Sequence, residues 1–217
     1  MKLKRVKLER FKSVREASID LSSINILVGG NNSGKSSILE GIHFKAVAAA
    51  AARSAGTKTF TQDNLLFCPT KSFVDLRNGA PYRNQSNFGY LSVYADGQGS
   101  EDDELTSTVT IYRGRNEGNV GCDVTGPAAL RQIIGSSRRT FSIYVPGLSG
   151  IPQVEEYRTE SIVRRGIASG DANLYLRNVI YLIRQNDLLE DLQNLMRTVF
   201  PDVHIETSFN PKIDLHI

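Results

Sequence analysis

The residues best suited to do chemistry are Gly29-Gly30-Asn31-Asn32-Ser33-Gly34-Lys35-Ser36, which fit G-x-x-x-x-G-K-[ST] at every fixed position. Glycines at that spacing let the backbone curl until successive N–H groups point into one concavity, a shape that accepts phosphate oxygens. Lys35 is placed to reach the β- and γ-phosphates as a compact cation, and the Ser36 hydroxyl to complete a Mg2+ shell. A helix beginning here turns its positive end toward the same anion. The pattern therefore predicts binding of ATP with Mg2+. Lys35 is the catalytic cation, Asn31, Asn32, Ser33, Gly34, Lys35, Ser36 and Ser37 line the nucleotide, and Ser36 is the metal ligand.

Such a loop works only between a strand and a helix. Upstream, Ile24-Asn25-Ile26-Leu27-Val28 is a short apolar run that reads as a buried parallel strand. Downstream, Ile38, Leu39, Ile42 and Val47 recur at helical spacing, and an alanine-rich stretch, Ala46 to Ala52, carries the helix toward Gly56. The alanines predict either close packing or fraying. Residues 2–11 alternate imperfectly, as in an exposed strand charged on one side. Lys12-Ser13-Val14 turns the chain and 16–21 returns, so a β-hairpin delivers the strand that enters the loop.

Other reactive residue types form no constellation. Cys68 and Cys122 are far apart and read as reduced structural thiols, and His43, His204 and His216 are scattered. The acidic run Glu101 to Glu104 sits at the turn of a predicted hairpin (Phe88 to Tyr94, Leu105 to Tyr112) and reads as a solvated tip rather than a metal site. A net charge of +3 is mildly basic and permits contact with DNA without arguing for it. No apolar run approaches the roughly 20 residues that cross a bilayer, and nothing resembles a signal peptide, so no membrane partner and a cytoplasmic location are expected.

The remaining chain organises as a β-rich region over 57–145, a helical region over 146–200 and strands over 203–217, after the hairpin, loop and first helix of 1–56. Glycines 114, 118, 121 and 126 punctuate turns, 128–134 suits a short helix, and Thr140 to Val145 reads as a strand ended by Pro146-Gly147. Helix is expected up to about Arg165. Asp171 is the predicted N-cap of a long helical stretch broken at Asn186-Asp187 and ended by Phe200-Pro201. Residues 203–207 and 212–217 read as strands. Hydrolysis of a bound nucleotide needs an apolar strand ending in an acidic pair, which this sequence does not contain. The chain is thus expected to be an incomplete lobe, the first part of a longer protein.

Phe11-Lys12-Ser13 together with the loop and Ser37 resembles the N-terminal lobe of ABC-type ATPases of the SMC, RecF and OLD-nuclease group. Tyr144 to Pro152, Glu155-Glu156 and Gly170 to Asn178 look like bacterial OLD-like AAA-family ATPases. The resemblance implies an α/β P-loop NTPase fold, an ABC-ATPase-like lobe with an antiparallel β subsheet, a partly parallel sheet and a C-terminal helical stretch. It implies that Lys12 and Ser13 lie near the nucleotide, and that Gln153 stands where a Q-loop glutamine would touch Mg2+. It further implies head-to-tail homodimerisation around two ATP molecules in the full-length form, and ATP-driven work on DNA in repair, maintenance or phage defence. Leu148-Ser149-Gly150 has the look of a signature motif, but Ile151 follows where a second glycine belongs, which favours a loop.

Two readings of another class stand beside this one. A small-molecule phosphotransferase would use Arg138-Arg139 or Arg164-Arg165 as lid cations. A non-catalytic module holding ATP as a structural ligand would present Arg131, Arg138, Arg139, Arg164 and Arg165 to DNA or a partner.

Overall fold

The computed structural model describes residues 2–83, 87–97, 104–136, 140–147, 150–152, 154–210, 214 and 217. The chain divides into two compact units, residues 1–144 and 145–217.

The first unit is a six-stranded sheet with one long helix. Its strands are β1 (Leu3–Phe11), β2 (Val14–Asp20), β3 (Thr59–Thr61), β4 (Gly89–Asp96), β5 (Glu104–Arg113) and β6 (Asn119–Thr125), in the order β2-β1-β4-β5-β6-β3. Every pairing is antiparallel. The expected partly parallel sheet is therefore not found. Short connections explain three of the pairings: the turn at Lys12-Ser13 joins β1 to β2, and hairpins join β4 to β5 and β5 to β6, whereas β1–β4 and β3–β6 bring together strands distant in sequence.

Side chains alternate with period two on these strands. Val6 and Leu8 of β1, Leu91 and Val93 of β4, Val109 and Ile111 of β5, and Val120 and Cys122 of β6 are all buried on one face. The opposite face of β1 carries charge: Lys7 pairs with Glu16 at 2.9 Å, and Arg5 pairs with Glu104 at 3.0 Å while lying 4.2 Å from the Tyr94 ring centre. Strand β6 escaped the sequence because Gly118, Gly121 and Gly126 read as turns. Gly121 is mid-strand opposite Tyr112, whose ring occupies the space a side chain would fill.

Helix α1 (Lys35–Ala55) lies on the apolar face. The alanine stretch packs rather than frays: Ala48 and Ala49 are buried, with Phe44, His43 and Lys45. Close approach depends on Gly41. A Cβ there would stand 2.6 Å from Leu8 Cδ2 and 2.8 Å from Phe11 Cδ1. Leu39, assigned to the apolar face by spacing, is half exposed. Gly56 ends the helix in the left-handed region at φ +67°. Helix α2 (Ala128–Ile134) follows the sheet, burying Leu130 and Ile134.

Two expected strands of this unit are not formed. Residues 24–28 pair with nothing, and Ile24, Ile26 and Val28 are 80%, 81% and 89% exposed. An apolar run becomes a strand only where a neighbouring backbone satisfies its N–H and C=O groups, and none of the described residues offers one. Instead Ser22 and Asn25 close a local turn, with Asn25 Nδ2 donating to the Ser22 carbonyl at 3.0 Å. Residues 140–145 are likewise unpaired, with Ile143 and Val145 exposed.

The second unit is helical: α3 (Glu160–Ala168), α4 (Leu176–Gln185) and α5 (Leu189–Arg197). The break at Asn186-Asp187 falls where expected, with Asp187 at φ +57°. Asp171 stands at the N-cap position of a 3-10 turn (Ala172–Tyr175) that runs directly into α4, but its side chain makes no capping hydrogen bond. The buried Glu155 carboxylate does the capping. It accepts from the Arg177 N–H at 2.9 Å, the Asn178 N–H at 2.9 Å and Asn178 Nδ2 at 2.6 Å. Residues 203–207 form no strand, because Gln193 occupies the backbone groups that pairing would use. Its Nε2 donates to the Val203 carbonyl at 2.6 Å, and its Oε1 accepts from the Ile205 N–H at 2.7 Å. Of the expected strand 212–217, Lys212, Ile213, Leu215 and His216 lie outside the described residues, and Asp214 and Ile217 belong to no strand.

Candidate nucleotide site

The loop curls as its glycines require. Asn32 adopts φ +66° and Gly34 φ +92°, both left-handed, and the Ser33 N–H turns back to the Gly30 carbonyl at 3.4 Å. The Gly34 carbonyl then accepts the first bond of α1, from the Ile38 N–H at 2.9 Å, so the helix begins directly under the loop. Gly29 is similarly constrained, since a Cβ there would stand 2.8 Å from Ser33 Oγ.

Lys35 folds into the hollow it helps to form. Its Nζ donates to the carbonyls of Gly29 at 2.7 Å and Gly30 at 2.6 Å, and to Ser33 Oγ at 3.3 Å. Among the described residues this ammonium meets main-chain carbonyls and a hydroxyl but no carboxylate, and phosphate oxygens would supply a counter-ion with better charge match. Ser36, in the first turn of α1, is exposed, as are Asn31, Asn32 and Ser33. Were Mg2+ held here, Ser36 would offer it a single hydroxyl. Phosphate oxygens and water suit the remaining positions, because Mg2+ keeps much of its hydration when protein-bound. Among the described residues no group of three or more His, Cys, Asp or Glu gathers in a way that could hold a metal. Lys35, Ser36 and the bent backbone of 29–34 suit a polyphosphate with Mg2+, but the strand expected to lead into the loop, residues 24–28, is not formed.

The β1–β2 turn reaches the loop. Ser13 Oγ donates to Ser37 Oγ at 3.1 Å and lies 3.2 Å from where a Gly34 side chain would begin. Lys12 Nζ forms a 2.7 Å ion pair with Glu40 Oε2, which stands in the second turn of α1. Burial first, then the charge of Glu40, push the Tyr144 phenol above its ordinary value. The sequence motif covers neither Glu40 nor Tyr144. The signal for Glu40 was its position four residues after Ser36, which places both on one side of the helix. Nothing local pointed to Tyr144, 104 residues further along.

The other candidates separate from the site. His43 is a core residue, with its ring 4.9 Å from that of Phe67 and Nδ1 3.2 Å from Ser142 Oγ. Cys68 and Cys122 are free thiols, as expected, and burial raises both, Cys122 to about 12. Gln153, Leu148, Ser149, Arg138, Arg139 and the acidic tip 101–103 lie outside the described residues.

Residues 1–79 match the model of a family described as an AAA ATPase domain. The match supports an AAA-type ATPase with nucleotide binding in that segment, and it covers the β1–β2 turn, the loop and α1. No curated protein matches the chain. Among the described residues no helix is long and apolar enough to cross a membrane.

Proposed function

We propose that this chain binds ATP with Mg2+ at the loop 29–36 and belongs to an ATPase of the SMC, RecF and OLD-like kind that dimerises through its nucleotide sites and works on DNA. The observation that carries the reading is Lys35. Its ammonium lies at the centre of a glycine-built hollow at the start of α1, held by carbonyls that a phosphate can displace. Lys35 neutralises and orients the phosphate tail, Gly34 lets the backbone approach it, and the Ser13–Ser37 contact fixes the β1–β2 turn over the same end of the helix. Bound Mg2+, with Ser36 as its protein ligand, would spread the charge of the β- and γ-phosphates.

Binding of a fluorescent ATP analogue with Mg2+, compared between wild type and Lys35→Ala, tests this. Loss of affinity by about 100-fold or more is expected, since a charge-assisted contact to a polyphosphate is removed. Unchanged affinity refutes the site. Phosphate transfer to a nucleoside acceptor by this chain would favour the phosphotransferase reading instead.

A further inference from the structure

We infer that Glu40 is a positioning residue of the nucleotide site: it holds the Lys12 ammonium until a polyphosphate takes it over. The inference rests on the nucleotide reading above and extends it to a residue outside the loop motif.

The Lys12 backbone is fixed on both sides. Its N–H donates to the Leu76 carbonyl at 2.6 Å, its carbonyl accepts from Asn78 Nδ2 at 2.7 Å, and its φ is +47°. A non-glycine residue held in the left-handed region marks a turn set by its surroundings. The turn thereby aims one mobile group, the Lys12 side chain, at α1. Its neighbour Ser13 touches Ser37 and abuts Gly34, so the turn stands over the phosphate hollow.

Glu40 meets Lys12 there. Its side chain is only 16% exposed, against 31% for that of Lys12. It sits one helical turn beyond Ser36 and Ser37, on the same side of α1. A bare carboxylate so near a polyphosphate would repel it, and a mostly buried one without a partner is costly. Lys12 answers both needs while the loop is empty of phosphate.

An ammonium has three donors and a carboxylate several acceptor positions, so the pair is exchangeable rather than locked. The nucleotide therefore competes with Glu40 for one cation.

The test is a mutant cycle read by titrating a fluorescent ATP analogue with Mg2+. Glu40→Gln is expected to tighten binding about five- to tenfold, and by less than about twofold when combined with Lys12→Met. Affinity that is unchanged or weakened in Glu40→Gln overturns the inference. So does equal tightening in the Lys12→Met background, which would mean simple long-range repulsion. Should Glu40→Gln fail to fold, Glu40→Ala decides: tightening that is lost with Lys12→Met is expected, and affinity unchanged or weakened overturns the inference. Wild-type protein that binds no analogue overturns this and the nucleotide reading together. Binding that is lost in Lys35→Ala while the Glu40 variants are silent overturns this one alone.

Discussion

Replacing Lys45 with methionine should stabilise the protein, most strongly near neutral pH. Lys45 lies in the middle of α1, fully buried, and its Nζ has no hydrogen-bond partner. The Phe11 ring offers partial compensation, with Nζ 4.6 Å from the ring centre. Burial, partly offset by the nearby Cys122 thiol, lowers its titration from 10.5 to about 7. At 1.36 kcal/mol per pH unit that interval corresponds to ~5 kcal/mol, of which water penetration and local opening leave about 3 to 5 kcal/mol as the cost of keeping the ammonium buried below pH 7. The sign follows from proton counting. Between pH 7 and 10.5 the unfolded chain binds the proton that the folded one has lost, so wild-type stability climbs with pH across this window. Cys122 works the other way. Its thiol, raised by burial to about 12, favours the folded state until the unfolded thiol ionises near 9.0. Wild-type stability should therefore rise from pH 7 to 9 and level off above it, where the two slopes cancel until the unfolded lysine titrates at 10.5. Lys45→Met keeps the volume, removes the charge and should flatten the acid side, raising the melting temperature at pH 6.5 on the order of 10 °C with little gain at pH 9.5. Thermal and urea denaturation at pH 6.5, 8 and 9.5 measure it. A wild-type curve that is flat from pH 7 to 9, or a variant no more stable at pH 6.5, refutes the reasoning.

Two further perturbations read the packing of each unit. Gly41→Ala gains helix propensity but places a methyl group against Leu8 and Phe11, so a net loss of about 1–3 kcal/mol is expected in urea denaturation. A neutral or stabilising result would mean that α1 can lift from β1 without penalty. Glu155→Ala strips the acceptor from the Arg177 and Asn178 N–H groups and from the Asn178 amide, costing about 2–4 kcal/mol. Hydrogen exchange should show faster opening at the start of α4, with β1 to β6 unchanged.

The curl of residues 29–36 and the start of α1 were legible because both are local. Eight consecutive residues dictate the backbone bend and the helix start, and Lys35 Nζ lies within 2.7 Å of the Gly29 and Gly30 carbonyls. The β1–β2 and β4–β5 hairpins and the α4–α5 break were readable for the same reason, being set by turn residues and short periods. The fate of residues 24–28 was not. Five apolar residues announce a preference for burial, but whether they pair depends on a neighbour that no local pattern names. Strand β6 failed in the opposite sense, since only the Tyr112 ring across the sheet makes Gly121 a strand residue.

What the sequence alone determined is the bent loop 29–34 and the helix beneath it, since contacts within a few residues decide both. Tertiary structure decided the antiparallel order of the sheet, the burial of Lys45 and the meeting of Lys12 with Glu40. Those outcomes depend on groups tens of residues apart, and their cost or gain exists only once folding has removed the water between them.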